Sequence, residues 1–149
     1  MLLLRSATIL DLDLLKYWDE QPHVIASDPN SDWNWENELL HDPEWREQLI
    51  AEINGRPIGC VQIIDPAEEE THYWGNIEPN KRAIAIWIGL KDDLGKGYGT
   101  EMMVLALERC FADDAVTEVL IDPLESNLRA IRFYKRIGFE FVEKRVFED

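Results

Sequence analysis

Between an apolar run, Ile84 to Leu90, and a long amphipathic stretch, the chain reads Leu94-Gly95-Lys96-Gly97-Tyr98-Gly99-Thr100. Glycines at this spacing permit positive backbone φ and let a ligand approach the main chain closely. Amide groups at the start of the following helix, together with its dipole, attract anionic oxygens, so the segment suits a pyrophosphate. An ordinary strand-to-helix turn also needs glycine, and the loop alone does not choose between the two. A second segment bears on the choice. It runs Asn127-Leu128-Arg129-Ala130-Ile131-Arg132-Phe133-Tyr134-Lys135-Arg136-Ile137-Gly138-Phe139, after the strand-like Val119-Leu120-Ile121 and the pair Asp122-Pro123.

In this order and context the two segments resemble the GNAT superfamily of N-acetyltransferases, over about residues 56 to 142. The resemblance implies that the glycine loop, Gly95 to Thr100, binds the pyrophosphate of coenzyme A, with acetyl-CoA as the cofactor. It also implies that the Asn127 helix lies along the pantetheine arm, with Asn127 and Ala130 against the arm and Tyr134 near the thioester sulfur. Backbone amides near Trp87 and Ile88 are the implied oxyanion donors. A narrower pattern joins Asn54-Gly55-Arg56-Pro57-Ile58-Gly59, Trp33, Trp35, the glycine loop and residues 122–130. It is similar to the aminoglycoside 6'-N-acetyltransferase branch and its siderophore-acylating relatives. Where those aminoglycoside enzymes carry an aspartate on the strand before the loop, this chain has Ala85. Leu94 replaces the Arg or Gln that often opens the loop, which shifts phosphate binding toward Lys96 and the backbone. The chain ends at Asp149, where the superfamily usually adds a last strand.

Acyl transfer from a thioester to an amine needs a neutral nucleophile, a stabilised oxyanion and a protonated leaving thiolate. A free amine is largely protonated at neutral pH, so a carboxylate or ordered water must accept its proton. With Ala85 in place of the aspartate, Asp122 is the first candidate base, followed by Glu70 and Asp93; an Asp-Pro pair is equally at home starting a turn. Tyr134 can protonate the departing sulfur, because a phenol keeps its proton at working pH. Trp33, Trp35, Tyr73 and Trp74, interleaved with Asp32, Glu36, Glu69 and Glu70, suit a cationic or sugar-like acceptor through cation–π contact and charge pairing. Each of these aromatics is also a candidate for the core. His23, His41 and His72 lack metal-ligand spacing, and no metal site is expected.

The charge balance agrees with such an acceptor. Thirty acidic residues against 15 Lys and Arg leave a formal charge of -15, which argues against a nucleic-acid partner and would steer an amine into an acidic cleft. Acidity that merely keeps the protein soluble is the alternative. Cys60 and Cys110 lie far apart within apolar segments, as buried thiols of a cytoplasmic protein do. Met1-Leu2-Leu3-Leu4 is followed at once by Arg5 and reads as a strand, not a signal peptide, and no run reaches the length of a membrane span.

These residues need a scaffold that 149 residues supply as one acetyltransferase domain, 1–149, acting as a monomer or homodimer. The patterns predict strands over 2–8, 48–53, 58–64, 83–89, 117–121 and 139–146, and helices over 11–19, 35–41, 97–112 and 127–137. Residues 21–32 read as a loop, Asn54-Gly55 as a hairpin turn, and 65–74 as a mobile acidic segment beside the cleft. Tyr98, Met102, Ala106 and Cys110, with Met103, Leu107 and Phe111, describe a buried helix face. The order implies a mixed, mostly antiparallel α/β sheet flanked by helices. Three functions fit: an N-acetyltransferase acting on a small cationic amine such as an aminoglycoside, a hydroxylysine acyltransferase of siderophore synthesis, or an acyl-CoA-binding module impaired in catalysis.

Overall fold

The computed structural model describes residues 1–27 and 34–143. A five-stranded sheet runs in the order β1 (Leu2–Ser6), β2 (Arg46–Ile53), β3 (Arg56–Ile64), β4 (Lys81–Ile88), β5 (Glu118–Leu120). The first three pairings are antiparallel and the last is parallel, so the sheet is mixed and mostly antiparallel, as expected. The β2–β3 turn takes positive φ at both Asn54 (50°) and Gly55 (84°), the geometry that favours Asn-Gly in two-residue hairpins.

Alternation along the strands builds two cores. Leu49, Ala51, Val61, Ile63 and Ile84 meet Met102, Met103, Ala106 and Cys110 of α4 (Tyr98–Phe111). Phe111, expected on that buried face, is exposed at the helix end. Ile50, Cys60 and Trp87 point the other way, onto Leu15 and Trp18 of α1 (Leu12–Asp19) and Trp35 of α3 (Trp35–Leu40). A Cβ at Gly89 would lie 2.1 Å from the Trp18 ring, so glycine there lets α1 press against the end of β4. A 3-10 turn, Ile9–Asp11, leads into α1 and is closed by a capping box between Thr8 and Asp11, whose carboxylate also pairs with Arg5 at 2.8 Å.

Two local expectations need correction. Residues 22–27, read as loop from their composition, form a short helix, α2 (Pro22–Ser27), which proline at its first position permits. Residues 139–143 form no strand, and the rest of the expected last strand lies outside the described residues. Among the described residues no helix is long and apolar enough to cross a membrane.

The feature that positions the site is the gap between β4 and β5. Their ladder holds only from Lys81–Glu118 to Ala83–Leu120, and β4 continues to Ile88 paired with β3 on its other side. The helix α5 (Leu128–Ile137) begins beyond the gap, N-capped by Asn127, whose side-chain oxygen accepts the Ala130 amide at 3.2 Å.

Candidate active site

A cleft of about 1330 Å³ opens at this gap. Its lining brings together Trp74, Trp87, Asp122, Asn127, Ala130 and Tyr134 from segments far apart in sequence, with Ala85 on its floor. Acidic lining residues outnumber basic ones: Asp19, Glu118, Asp122, Glu125, Glu140 and Glu143 against Lys81 and Lys135. One of these charges is balanced locally, since Lys81 pairs with Glu118 at 3.0 Å.

The backbone of β4 faces the gap in a defined phase. Gly89 donates its amide to the Ile58 carbonyl (2.9 Å), and the antiparallel alternation then gives the backbone of Trp87 to Cys60. The amides of Ile86 and Ile88 are directed to the β5 side, beyond the last paired residue. Ile86 and Trp87 line the cleft, and Ile88 lies outside the lining. The Ile88 carbonyl accepts a 2.8 Å hydrogen bond from Nε2 of His23 on α2, which ties that helix to the strand end.

Asp122 and Tyr134 are linked electrostatically. Burial, and secondarily the Asp122 charge, push the Tyr134 phenol up to about 12, so it remains protonated throughout the neutral range. Asp122 in turn accepts a hydrogen bond from the Tyr73 hydroxyl at 2.7 Å. The turn that presents Tyr73 is organised by the buried Glu69, which accepts from the Thr71 hydroxyl (2.6 Å), the Thr71 amide and the Tyr73 amide (3.0 Å). Burial opposes ionisation of Glu69, but these donors and the nearby His72 hold its carboxyl below the usual range.

The glycine loop follows β4 at the end where the gap opens, outside the cleft lining. Gly95 and Gly97 have φ of 73° and 82°, and nothing lies within 4 Å of a Cβ at either. Gly97 is the N-cap of α4 and has no side chain to cap it. The first amides of α4, at Tyr98, Gly99 and Thr100, thus begin a 14-residue helix from an exposed glycine turn, with the Lys96 ammonium adjacent in sequence. Such a seat fits a diphosphate. It is joined to the cleft through α5, because the position of a Gly99 Cβ is 3.5 Å from the Phe133 ring, next to Tyr134.

Other expected site residues fall elsewhere. Trp35 is 3% exposed, behind Trp87 (ring centroids 6.0 Å apart), and does not line the cleft. Its packing value exceeds its polarity, and its indole N–H is satisfied by Asp19 at 2.6 Å. Glu70 is exposed and outside the lining. Asp93, an alternative base, is buried and held by Arg56 in a two-bond pair at 3.0 Å, which makes it structural. Trp33 lies outside the described residues. Cys60 and Cys110 are buried thiols whose acidity is suppressed, Cys110 to about 11, chiefly by burial. Asp19 and the role of Tyr73 were not apparent in the sequence; the available signal for Asp19 is an acidic residue ending a helix, where the dipole disfavours it.

The model of the acetyltransferase (GNAT) domain family matches residues 8–147. The chain belongs to this family. It is 32% identical, over an alignment of 151 residues, to aminoglycoside N(6')-acetyltransferase type 1 of Klebsiella pneumoniae, spanning 92% of this chain and 73% of that protein. A kanamycin resistance protein of Rhizobium radiobacter is 42% identical over 73 residues, 49% of this chain and 62% of that protein. The crystal structure of aminoglycoside acetyltransferase AAC(6')-Ib in complex with coenzyme A and kanamycin superposes with a TM-score of 0.82 at 32% identity, covering 94% of this chain and 84% of that one.

Proposed function

We propose that this protein transfers an acetyl group from acetyl-CoA to a primary amine of a polycationic small molecule, with an aminoglycoside as the acceptor class. The observation that carries the reading is the meeting of Asp122 and Tyr134 in one acidic cleft at the open edge of β4. The amides of Gly97 to Thr100 and the Lys96 ammonium hold the diphosphate, and Asn127 and Ala130 support the pantetheine arm. The Asn127 oxygen caps α5, which leaves its carboxamide nitrogen as the donor toward the cofactor.

When bound, acetyl-CoA supplies the acyl carbon and a thiolate leaving group. Asp122 takes the proton of the attacking amine as the new C–N bond forms. The Ile86 and Ile88 amides stabilise negative charge on the acyl oxygen, and Tyr134 gives its proton to sulfur as the C–S bond breaks. Trp74 and the carboxylates of the cleft orient the acceptor, while Trp35 acts from behind Trp87; Trp33 and Glu70 are further acceptor contacts in this reading. The protein works in the cytoplasm as a monomer or homodimer, without nucleic acid, which its charge of -15 repels.

The test is thiol release from acetyl-CoA on addition of kanamycin, followed by mass spectrometry of the product. The reading predicts mono-acetylated kanamycin and one free thiol per transfer. Absence of release with kanamycin and with a panel of simple amines overturns it.

A further inference from the structure

Arg56, the first residue of β3, touches the glycine turn at both of its shoulders. In the antiparallel register Gly59 pairs with Ile88, the last residue of β4, so Arg56 lies beyond the end of that strand, where the chain swings toward the loop. Its two terminal nitrogens hold both oxygens of Asp93 at 3.0 Å, just before the turn. The same guanidinium interacts with the side chain of Tyr98, the first residue of α4, just after it. Between these contacts lie Leu94, Gly95, Lys96 and Gly97, and both glycines have positive φ and open space around the Cβ position. Glycines in such a segment bring conformational freedom and no packing to limit it. β3 flanks β4 on the edge away from β5, so Arg56 holds the turn from the side opposite the gap. The pairing also settles the local charge. The Asp93 side chain is 4% exposed, and without its partner it would be a buried anion close in sequence to the start of α4.

We propose that Arg56 is a positioning residue for the cofactor: by joining Asp93 to Tyr98 it fixes the glycine turn, and it cancels the Asp93 charge beside the diphosphate seat. This rests on the transfer reading above, in which the amides of Gly97 to Thr100 hold the diphosphate. A turn set in advance loses less freedom when the cofactor arrives. The planar guanidinium meets both carboxylate oxygens at once, which a lysine ammonium cannot do. Leu94 offers the diphosphate no charge, so Lys96 is the cation between Leu94 and Thr100, and an uncancelled carboxylate at Asp93 would oppose it. Arg56 and Asp93 both lie outside the cleft lining, which places their effect on the cofactor and not on the amine.

The test is calorimetric titration of coenzyme A into the parent protein, Arg56→Gln, Arg56→Lys and the double variant Arg56→Gln with Asp93→Asn. The expected result is about tenfold weaker binding for Arg56→Gln and about threefold for Arg56→Lys, which keeps the charge without the fork. The double variant buries no lone carboxylate and should return to within about threefold of the parent. Kanamycin affinity, measured on protein saturated with coenzyme A, should stay at the parent value throughout, whereas a merely structural role would move both ligands together. Unchanged coenzyme A affinity in Arg56→Gln, an equal fall for kanamycin, or a double variant no better than the single one overturns the assignment. Where Arg56→Gln does not fold, Arg56→Lys decides, and parent-like coenzyme A affinity there overturns it. Thiol release is read in parallel. The expected affinity pattern without acetyl transfer by the parent supports Arg56 and overturns the transfer reading; transfer by the parent with every variant at parent affinity overturns Arg56 alone.

Discussion

The Tyr73 hydroxyl donates to Oδ2 of Asp122 across 49 residues of sequence, at 2.7 Å. This bond ties the connection between β3 and β4 to the end of β5, across the mouth of the cleft. A hydrogen bond to a charged group contributes about 1.5–3 kcal/mol. Tyr73→Phe is therefore expected to lower kcat/KM for the amine by roughly tenfold or more, through a misdirected carboxylate. The KM for acetyl-CoA should stay constant, and steady-state kinetics with each substrate varied in turn provides the check. Equal losses for both substrates would indicate a general loosening of the fold.

Tyr134 is expected to act on the leaving group alone. Tyr134→Phe should reduce kcat by about 10²-fold, the lower end of what a positioned acid contributes, with the acetyl-CoA dissociation constant unchanged. Because burial raises the parent phenol to about 12, the pH profile of kcat should show no fall attributable to tyrosine ionisation near pH 10. Stopped-time thiol assays across the basic range measure both effects.

The turn at Glu69 is expected to be acid-labile. Its carboxyl is held below the ordinary value of 4.5, so its contribution to stability is complete above that value and is lost as pH falls through the folded-state value. Glu69→Gln should lower stability at neutral pH by about 1–3 kcal/mol, and the gap from the parent should narrow below about pH 4.5. Urea unfolding at several pH values tests the trend; a gap that widens in acid would contradict the sign.

Gly99 separates a fold requirement from a ligand requirement. Its Cβ would meet only the Phe133 ring, at 3.5 Å, an ordinary contact, so the fold itself accepts alanine there. Gly99→Ala is expected to leave stability unchanged or raise it by up to about 1 kcal/mol. If the first turn of α4 approaches a diphosphate, the same change should weaken acetyl-CoA binding by about tenfold. Thermal unfolding and a cofactor titration on one variant distinguish the two roles.

What the sequence discloses about this molecule follows the range of each interaction. Periodicity located β2 to β5, α1, α3, α4 and α5, because burying one face repeats every two or 3.6 residues. Asn54-Gly55 announced its turn because few other pairs accept positive φ twice. Residues 22–27 were missed because a six-residue helix with no buried side chain leaves no periodic trace. The glycine loop and the Asn127 helix were legible as local motifs. Asp122 was legible as a candidate, but its partner Tyr73 was not, since a contact between such distant residues depends on the path of the whole connection. Trp35 shows the converse: an indole among acidic residues suggests ligand binding, yet the α1–α3 packing draws it into the core behind Trp87, where its N–H meets Asp19. The proposed oxyanion donors are backbone groups whose direction depends on strand phase, and it is the register of β3 with β4 that turns the Ile86 and Ile88 amides, and not that of Trp87, toward the β5 side.

The central claim is that the start of α4 grips the diphosphate of acetyl-CoA and aims its thioester at the Asp122–Tyr134 pair. Titration of acetyl-CoA into the purified protein, followed by calorimetry, tests it most directly. The account predicts saturable one-to-one binding in the micromolar range that is weakened by Lys96→Ala and left intact by Tyr134→Phe. Absence of binding heat at millimolar acetyl-CoA, with the protein folded, would contradict it.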